Sequence, residues 1–328
     1  MARRLKRYTV TAVKLNLELY KRLYLARRAE EYIIRYYSED DMKTPMHMSM
    51  GQEHIPVGVC SAIGLRCQTF ATYRSHATYI AMTGETDGFF AELYGKETGV
   101  SKGKAGSMHL SAPEYGFMGS SAVVASLIPV AVGAAFANKV RKTGKLVAVF
   151  FGDGATDEGV FWESINAASL YKLPIIFVLE DNDFAVHMRG KFRRGYKSIN
   201  DIVGSFNCNI FKEETTDVEK IYNLTKKTMD AVEKSGKPAF LYLKCYRYLE
   251  HVGVNKDFDA GYRSESEFNQ WYKKDCVAIQ RSKLLQNRFT ESEVANIESG
   301  IDRQIQKSVE KAKKASFCSK DELCKGLL

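Results

Sequence analysis

The chain reads as an α/β protein built on a parallel sheet, and two observations carry that reading. Leu146–Phe151 and Ile175–Leu179 are continuous apolar runs rich in β-branched and aromatic residues, the pattern of strands buried on both faces. Between them Thr156, Asp157 and Glu158 supply helix-start signals, and Val160, Phe161, Ile165, Ala168 and Leu170 follow at helical spacing until Lys172-Leu173-Pro174. Strand, helix and strand within about 35 residues form a βαβ unit, with parallel strands and a right-handed crossover. The carboxyl ends of both strands then open on one edge of the sheet, where ligands bind in open α/β folds.

The other elements follow in chain order. Leu15 to about Tyr37 carries Leu and Ile among Arg, Glu and Lys, and predicts one or two amphipathic helices. The segment from Pro45 to Gly64 reads as a loop entering a buried helix. The Gly- and Ser-rich residues 99–119 read as a flexible functional loop. Asp217 is placed to cap a helix reaching Ser235, and Ala239–Leu243 is a third apolar run leading to Tyr246-Arg247-Tyr248 and His251. Residues 264–314 are charged and helical in pattern.

Composition bounds the function. The 328 residues include 48 Lys+Arg and 39 Asp+Glu, a net charge of +9, with 45% apolar and 27% charged residues. These values exclude disordered and low-complexity architectures and fit one large α/β domain or two small ones. Acidic residues are interspersed with the basic ones, so no nucleic-acid footprint is read. Seven scattered cysteines without a C-x-x-C pair make neither a disulfide framework nor a zinc signature. No run approaches the ~18 apolar residues of a spanning helix, so no membrane partner is read. The first seven residues are Arg/Lys-rich as in a transit peptide, but Glu18 and the scarcity of Ser argue for a cytoplasmic, reducing location.

Familiar phosphate fingerprints fail. Gly152-Asp153-Gly154 opens G-x-G-x-x-G, but position 157 is Asp; Gly95-Lys96 resembles the end of a Walker A loop, but position 90 is Phe and position 97 is Glu. No H-E-x-x-H occurs. What remains is Asp153 at one strand end and Asn182 at the next, one crossover apart. A carboxylate and an amide oxygen form an all-oxygen site for a hard cation that keeps phosphate and water ligands, the pattern of Mg²⁺ carrying a diphosphate.

Gly152-Asp153-Gly154-Ala155 through Glu180-Asp181-Asn182 resembles the thiamine diphosphate motif. With Gly51-Gln52-Glu53, Tyr73-Arg74-Ser75-His76, 103–109 (GKAGSMH), Leu173-Pro174 and Tyr246-Arg247-Tyr248, the chain resembles the α subunit of 2-oxo acid dehydrogenase E1 components over residues 15–310. The resemblance implies a three-layer αβα fold. It divides the chain into an N-terminal helical extension (1–44), a diphosphate- and Mg²⁺-binding domain (45–263) and a C-terminal helical region (264–328). It implies Asp153, Asn182 and the Phe184 carbonyl as Mg²⁺ ligands, and Gly154 and Ala155 as amide donors to the diphosphate at a helix start. Arg74 and His251 would contact the diphosphate, Tyr73 would pack near the aminopyrimidine, and the main chain of Ala122 and Val124 would bond its edge. Val186 would be the apolar wedge that bends the cofactor. His76, His109 and His251 are the candidate catalytic residues near the reacting end, whereas His54 and His187 are read as structural. The implied activity is decarboxylation of a 2-oxo acid and acyl transfer to lipoamide of an E2 partner, active only with an E1 β chain in an α₂β₂ heterotetramer.

The chain departs from that pattern in three places. Asp181 replaces the first Asn of the usual pair. Leu249-Glu250-His251-Val252 stands where pyruvate enzymes have His-Gly-His-Ser, which keeps open a carboligase that passes the activated aldehyde to a carbonyl acceptor. An inactive structural or regulatory paralogue is the other alternative, opposed by retention of Asp153, Asn182, Arg74 and His251. Residues 188–197 hold five basic side chains, read either as a solvated loop or as a contact for an anionic substrate or acidic carrier.

Overall fold

The computed structural model describes residues 10–322, 324 and 325. The basic residues 1–7, weighed above as a targeting segment, lie outside the described residues. The chain opens with α1 (Val10–Tyr37), a single helix where the pattern allowed one or two, then α2 (His54–Ile63), β1 (Cys67–Thr72), α3 (His76–Thr83) and α4 (Asp87–Leu93). Next come β2 (Phe117–Ser121), α5 (Leu127–Val140), β3 (Leu146–Gly152), α6 (Gly159–Leu170) and β4 (Ile175–Asp181). A short hairpin, β5 (Phe184–Ala185) and β6 (Met188–Arg189), leads to α7 (Ile199–Gly204), β7 (Asn209–Glu213), α8 (Val218–Ser235) and β8 (Ala239–Lys244). The chain closes with α9 (Glu265–Tyr272), α10 (Cys276–Gln286) and α11 (Glu291–Lys314).

Six strands form one sheet in the order β2-β1-β3-β4-β8-β7, and every neighbouring pair is parallel. Because side chains alternate along a strand, the central strands divide between two cores. Leu146, Ala148 and Phe150 of β3 and Ile176 and Val178 of β4 face a core shared with α1, α2, α3, α4, α8 and α11. Val147, Val149, Phe151, Ile175, Phe177 and Leu179 face a second core closed by α5, α6 and α7. The result is the three-layer arrangement, with both faces of the central strands dry.

Helix ends follow the sequence in part. Asp217 caps α8 by accepting from the Glu219 amide at 3.1 Å, and Thr290 and Glu293 form a capping box on α11. The start of α6 differs from the expectation. Asp153–Asp157 forms a 3₁₀ turn, and the α-helix begins only at Gly159, with Glu158 making no side-chain cap. The Gly154 and Ala155 amides therefore sit on a tight turn before α6, not in its first helical turn.

The Gly-rich stretch after α4 is also more ordered than its composition suggests. The buried carboxylate of Glu92 accepts four main-chain hydrogen bonds: from Ser101 (2.8 Å) and Gly103 (2.9 Å) on Oε2, and from Ala105 (2.7 Å) and Gly106 (3.0 Å) on Oε1. Gly103 adopts φ +74°, and a Cβ there would lie 2.3 Å from the Gly95 carbonyl carbon, so only glycine lets the loop close on the carboxylate. Charge-assisted bonds of this type contribute roughly 1.5–3 kcal/mol each. Glu92→Gln turns one acceptor oxygen into a donor facing two amides. We expect a loss of about 2–4 kcal/mol in denaturant unfolding, and faster hydrogen exchange confined to residues 101–106.

Candidate active site

A cavity of about 270 Å³ opens at the carboxyl edge of the sheet. Its walls come from the segments that follow β1 (Tyr73, Arg74), β3 (Asp153 to Ala155), β4 (Asn182 to Val186) and β8 (His251), with Val124 from the segment after β2. Parallel strands aim all these ends at one edge, so residues more than 170 positions apart converge without any local sequence signal. Gly152 pairs with Glu180 in the β3–β4 register, which brings Asp153 and Asp181 out at the same level.

Asp153 is 1% exposed. Its Oδ2 accepts from Arg193 and from Arg194 (2.9 Å), while its Oδ1 is buried with no partner. Burial, with Asp181 next to it, pushes the Asp153 carboxyl up to about 6, against the pull of the two guanidinium groups. Burial acts on Asp181 too, but Lys244, Arg194 and the Tyr242 hydroxyl at 2.6 Å hold that carboxyl below its usual range. Asn182 donates through Nδ2 to Gln52 Oε1 at 2.8 Å, which fixes the amide, and its Oδ1 accepts from the Phe184 amide at 3.0 Å with one lone pair left over. An orphaned carboxylate oxygen and an oriented amide oxygen at adjacent strand ends fit a hard cation. Among the described residues no group of three or more His, Cys, Asp or Glu side chains could hold a metal ion, so such a cation would need oxygens from a ligand and from water.

The opposite wall is positive. The buried Arg74 guanidinium donates to Met48 O (2.7 Å) and His251 O (3.1 Å), and it makes no ion pair among the described residues. Burial and the neighbouring Arg247 lower it to about 10, still protonated at neutral pH. His251 Nδ1 lies 3.3 Å from Arg74 Nη2 and 3.3 Å from Arg247 Nη1, both obligate donors. Burial, then Arg74 and Arg247, depress His251 to about 3, so the ring is neutral. A neutral ring whose Nδ1 accepts must carry its proton on Nε2. His251 is thus a hydrogen-bond donor toward an anion and not a second cation.

Not every candidate joins the cavity. His76, His109 and Ala122 do not line it. His76 is fully buried, with Nδ1 2.9 Å from Glu30 Oε1 and Nε2 2.7 Å from Ser107 Oγ. That spacing matches a hydrolase triad, but all three side chains are sealed from solvent, so it ties α1, α3 and the Gly-rich loop together. His109 is exposed on that loop. His54 is buried with Nε2 3.4 Å from Lys244 O, while His187 is exposed against the Tyr262 ring.

The roles of three residues, and the backbone conformation of the predicted wedge Val186, escaped sequence reasoning. Gln52 orients Asn182. His47, pushed down to about 3 by burial and Arg74, packs its ring 4.4 Å from Tyr73 and 5.2 Å from His251. Val186 adopts φ +54°, a left-handed conformation that a β-branched residue occupies only under constraint, and it stands 48% exposed at the cavity wall. Glu180 lines the cavity, buried, with its carboxyl raised to about 8 by that burial against the pull of Arg74. Gln52 belongs to the Gly51-Gln52-Glu53 motif and His47 precedes it, but the partners that give both their roles lie elsewhere in the chain.

Comparison with known proteins supplies the context. The sequence pattern of the family described as dehydrogenase E1 component matches residues 21–319. The chain is 32% identical over 317 residues to the pyruvate dehydrogenase E1 component subunit alpha of Rickettsia typhi, covering 93% of each. It is 32% identical over 302 residues to the protein of that description from Porphyra purpurea, covering 90% of this chain and 87% of the relative. The Zymomonas mobilis counterpart is 30% identical over 314 residues, covering 95% and 88%.

Glu180 gives the site a pH signature. The folded carboxyl keeps its proton up to about 8, whereas the unfolded one releases it near 4.5, so unfolding becomes easier as pH rises between those values. Glu180→Gln removes this effect. Its stability relative to wild type is expected to climb from pH 4.5 to 8 and then level off, with a gain on the order of a few kcal/mol. Urea unfolding across that range checks the shape, and parallel curves would contradict it.

Proposed function

The chain belongs to the dehydrogenase E1 component family, and on that premise we propose that it is the α chain of a thiamine-diphosphate-dependent enzyme that decarboxylates a 2-oxo acid and passes the acyl group to lipoamide of an E2 partner. The observation that carries this reading is the buried, unpartnered Oδ1 of Asp153 beside the oriented amide of Asn182, opposite the donors of Arg74 and His251. Mg²⁺ would be held by Asp153 and Asn182 with the Phe184 carbonyl. Gly154 and Ala155 would donate main-chain N–H groups to the diphosphate, joined by the Arg74 guanidinium and His251 Nε2–H. Tyr73, backed by His47, would face the pyrimidine with Val124, and Val186 would press between the two rings. When bound, thiamine diphosphate supplies the electron sink for loss of CO₂. The protein's own part is to hold it, to orient it and to set charge around it. We read residues 45–263 as the unit that does this, with 1–44 and 264–328 as helical buttresses.

A β chain would complete the site. Val123 and Val124 at the cavity mouth continue onto α5, where Val130, Phe136 and Val140 are exposed, an apolar face suited to another protein chain. An α₂β₂ assembly is the reading this supports. We place the enzyme in a reducing, cytoplasmic compartment on the seven cysteines, all unpaired. Among the described residues no helix is long and apolar enough to cross a membrane.

One observation favours a second reading. Leu249 is buried in the core where pyruvate enzymes carry a histidine, and Glu250 is engaged with the Asn255 amide at 2.9 Å, so that position offers no imidazole to acyl transfer. A carboligase with a carbonyl acceptor would not need one. Supplying the co-expressed α and β chains with a 2-oxo acid and either a lipoylated domain or an aldehyde separates the two by product. Calorimetry of the same complex with thiamine diphosphate and Mg²⁺ tests the site. Asp153→Ala is expected to weaken binding by about thirtyfold or more, the cost of about 2–5 kcal/mol for truncating one partner of a buried charge contact. Wild-type affinity in that variant would refute the ligand assignment.

A further inference from the structure

The basic loop after the cofactor motif has a role that none of the assignments above uses. The sequence leaves this loop either solvated or in contact with an anionic substrate or acidic carrier, and the structure turns two of its arginines inward instead. Arg193 reaches inward to Asp153 Oδ2 and to Asp157. Arg194 donates to the same Asp153 Oδ2 at 2.9 Å and lies 3.6 Å from Asp181 Oδ2. Their side chains are only 8% and 16% exposed, and neither lines the cavity. Both arginine amides bond to Gly190 O, at 3.0 and 2.9 Å, and the Gly190 amide bonds to Asp183 O at 2.9 Å. A Cβ on Gly190 would lie 2.9 Å from Asp183 Oδ1 and 3.0 Å from the Arg194 guanidinium carbon, so the two side chains pack closely over this glycine. Arg189 anchors the start of the loop on Glu267 and Asp183. The two guanidinium groups are thus built into the floor beneath the carboxylate.

We propose that Arg193 and Arg194 determine which divalent cation the site accepts, an inference that rests on the reading of Asp153 and Asn182 as cation ligands. A carboxylate has two oxygens to offer, and here Oδ2 is filled by two guanidinium donors while Oδ1 is left free. Asp153 can therefore ligate through one oxygen only. Mg²⁺ needs octahedral geometry with carboxylates contributing single oxygens, whereas Ca²⁺ takes six to eight ligands and often uses both oxygens of a carboxylate. The arginines hold Asp153 in the form that suits the smaller ion. They are positioning residues, acting on the metal through Asp153.

The ratio of affinities isolates this effect. Mg²⁺ and Ca²⁺ carry the same charge, so removing a positive side chain changes the long-range attraction for both alike and cancels in the ratio. A merely loosened loop weakens both alike as well. Thiamine diphosphate binding to the full chain with its co-expressed β chain, followed calorimetrically while either Mg²⁺ or Ca²⁺ is titrated, gives the ratio without reference to turnover. Wild type is expected to prefer Mg²⁺. In R193Q/R194Q that preference is expected to fall about tenfold, the size of effect that outer-shell partners of metal ligands have, with each single variant in between. R193K/R194K, which returns a cationic donor to Oδ2, is expected to recover part of the preference. A ratio unchanged in the folded variants would overturn the proposal while leaving the cofactor site standing. If neither ion supports cofactor binding in wild type, the ligand reading falls and this inference falls with it.

Discussion

The carboxylate of Asp153 lies sealed from water at the point where β3 and β4 open, with Asp157 and Asp181 close by, and much of the surrounding structure is a response to that burial. Placing an ionised carboxylate in a dry interior costs several kcal/mol unless charge and hydrogen bonds compensate it. Arg193 and Arg194 compensate one oxygen, and Lys244 and Tyr242 take up the neighbouring charge on Asp181. The second oxygen of Asp153 is left uncompensated, and that is the point where the protein remains open to a cation. A site made only for stability would have filled both.

Charge is separated across the cavity. Asp153 and Glu180 line it from the ends of β3 and β4, where Arg193, Arg194 and Lys244 offset part of the charge, and Arg74 and His251 line it from the ends of β1 and β8, with Arg247 behind His251. In the proposed reading, Asp153 would meet the divalent ion and Arg74 would meet the phosphate oxygens. His251 fits because the arginines keep it neutral and fix its tautomer. Two cations that would repel an imidazolium instead turn the ring into a directed donor. Rigidity comes from elsewhere: Glu92 gathers four amides of the Gly-rich loop, and the sealed Glu30–His76–Ser107 chain ties that loop to two helices.

The parts legible in the sequence were those whose environment is uniform. β3 and β4 are dry on both faces and β8 nearly so, and the apolar runs Leu146–Phe151, Ile175–Leu179 and Ala239–Leu243 stand out at any register. β1 (CQTFAT) mixes polar residues into a buried strand, β2 (FMGSS) is a short edge strand of small residues, and β7 is only half-buried, so none carries that signature. Asp153 and Asn182 stood out in the sequence because each follows the carboxyl end of an apolar strand run. Gln52, His47 and Glu180 were not, since each acquires its role from a partner that only the fold brings near. His76 looked catalytic by its place in a motif, yet it lies outside the cavity that its neighbours Tyr73 and Arg74 line, buried between Glu30 and Ser107. The basic run at 188–197 shows the same limit from the other side. Its charge was plain, but the direction of Arg193 and Arg194 depends on acids at 153, 157 and 181 that the chain reaches only after folding.

The free Oδ1 of Asp153 can be observed directly in its occupied state. Crystals of the complex grown with thiamine diphosphate and Mn²⁺ in place of Mg²⁺ locate the ion by its anomalous scattering. A single peak bonded to Asp153 Oδ1 and to the Asn182 side-chain oxygen is expected, with both guanidinium groups still on Asp153 Oδ2. A peak bridging both Asp153 oxygens with the arginines displaced, or no peak between these strand ends, would refute the one-oxygen ligand assignment.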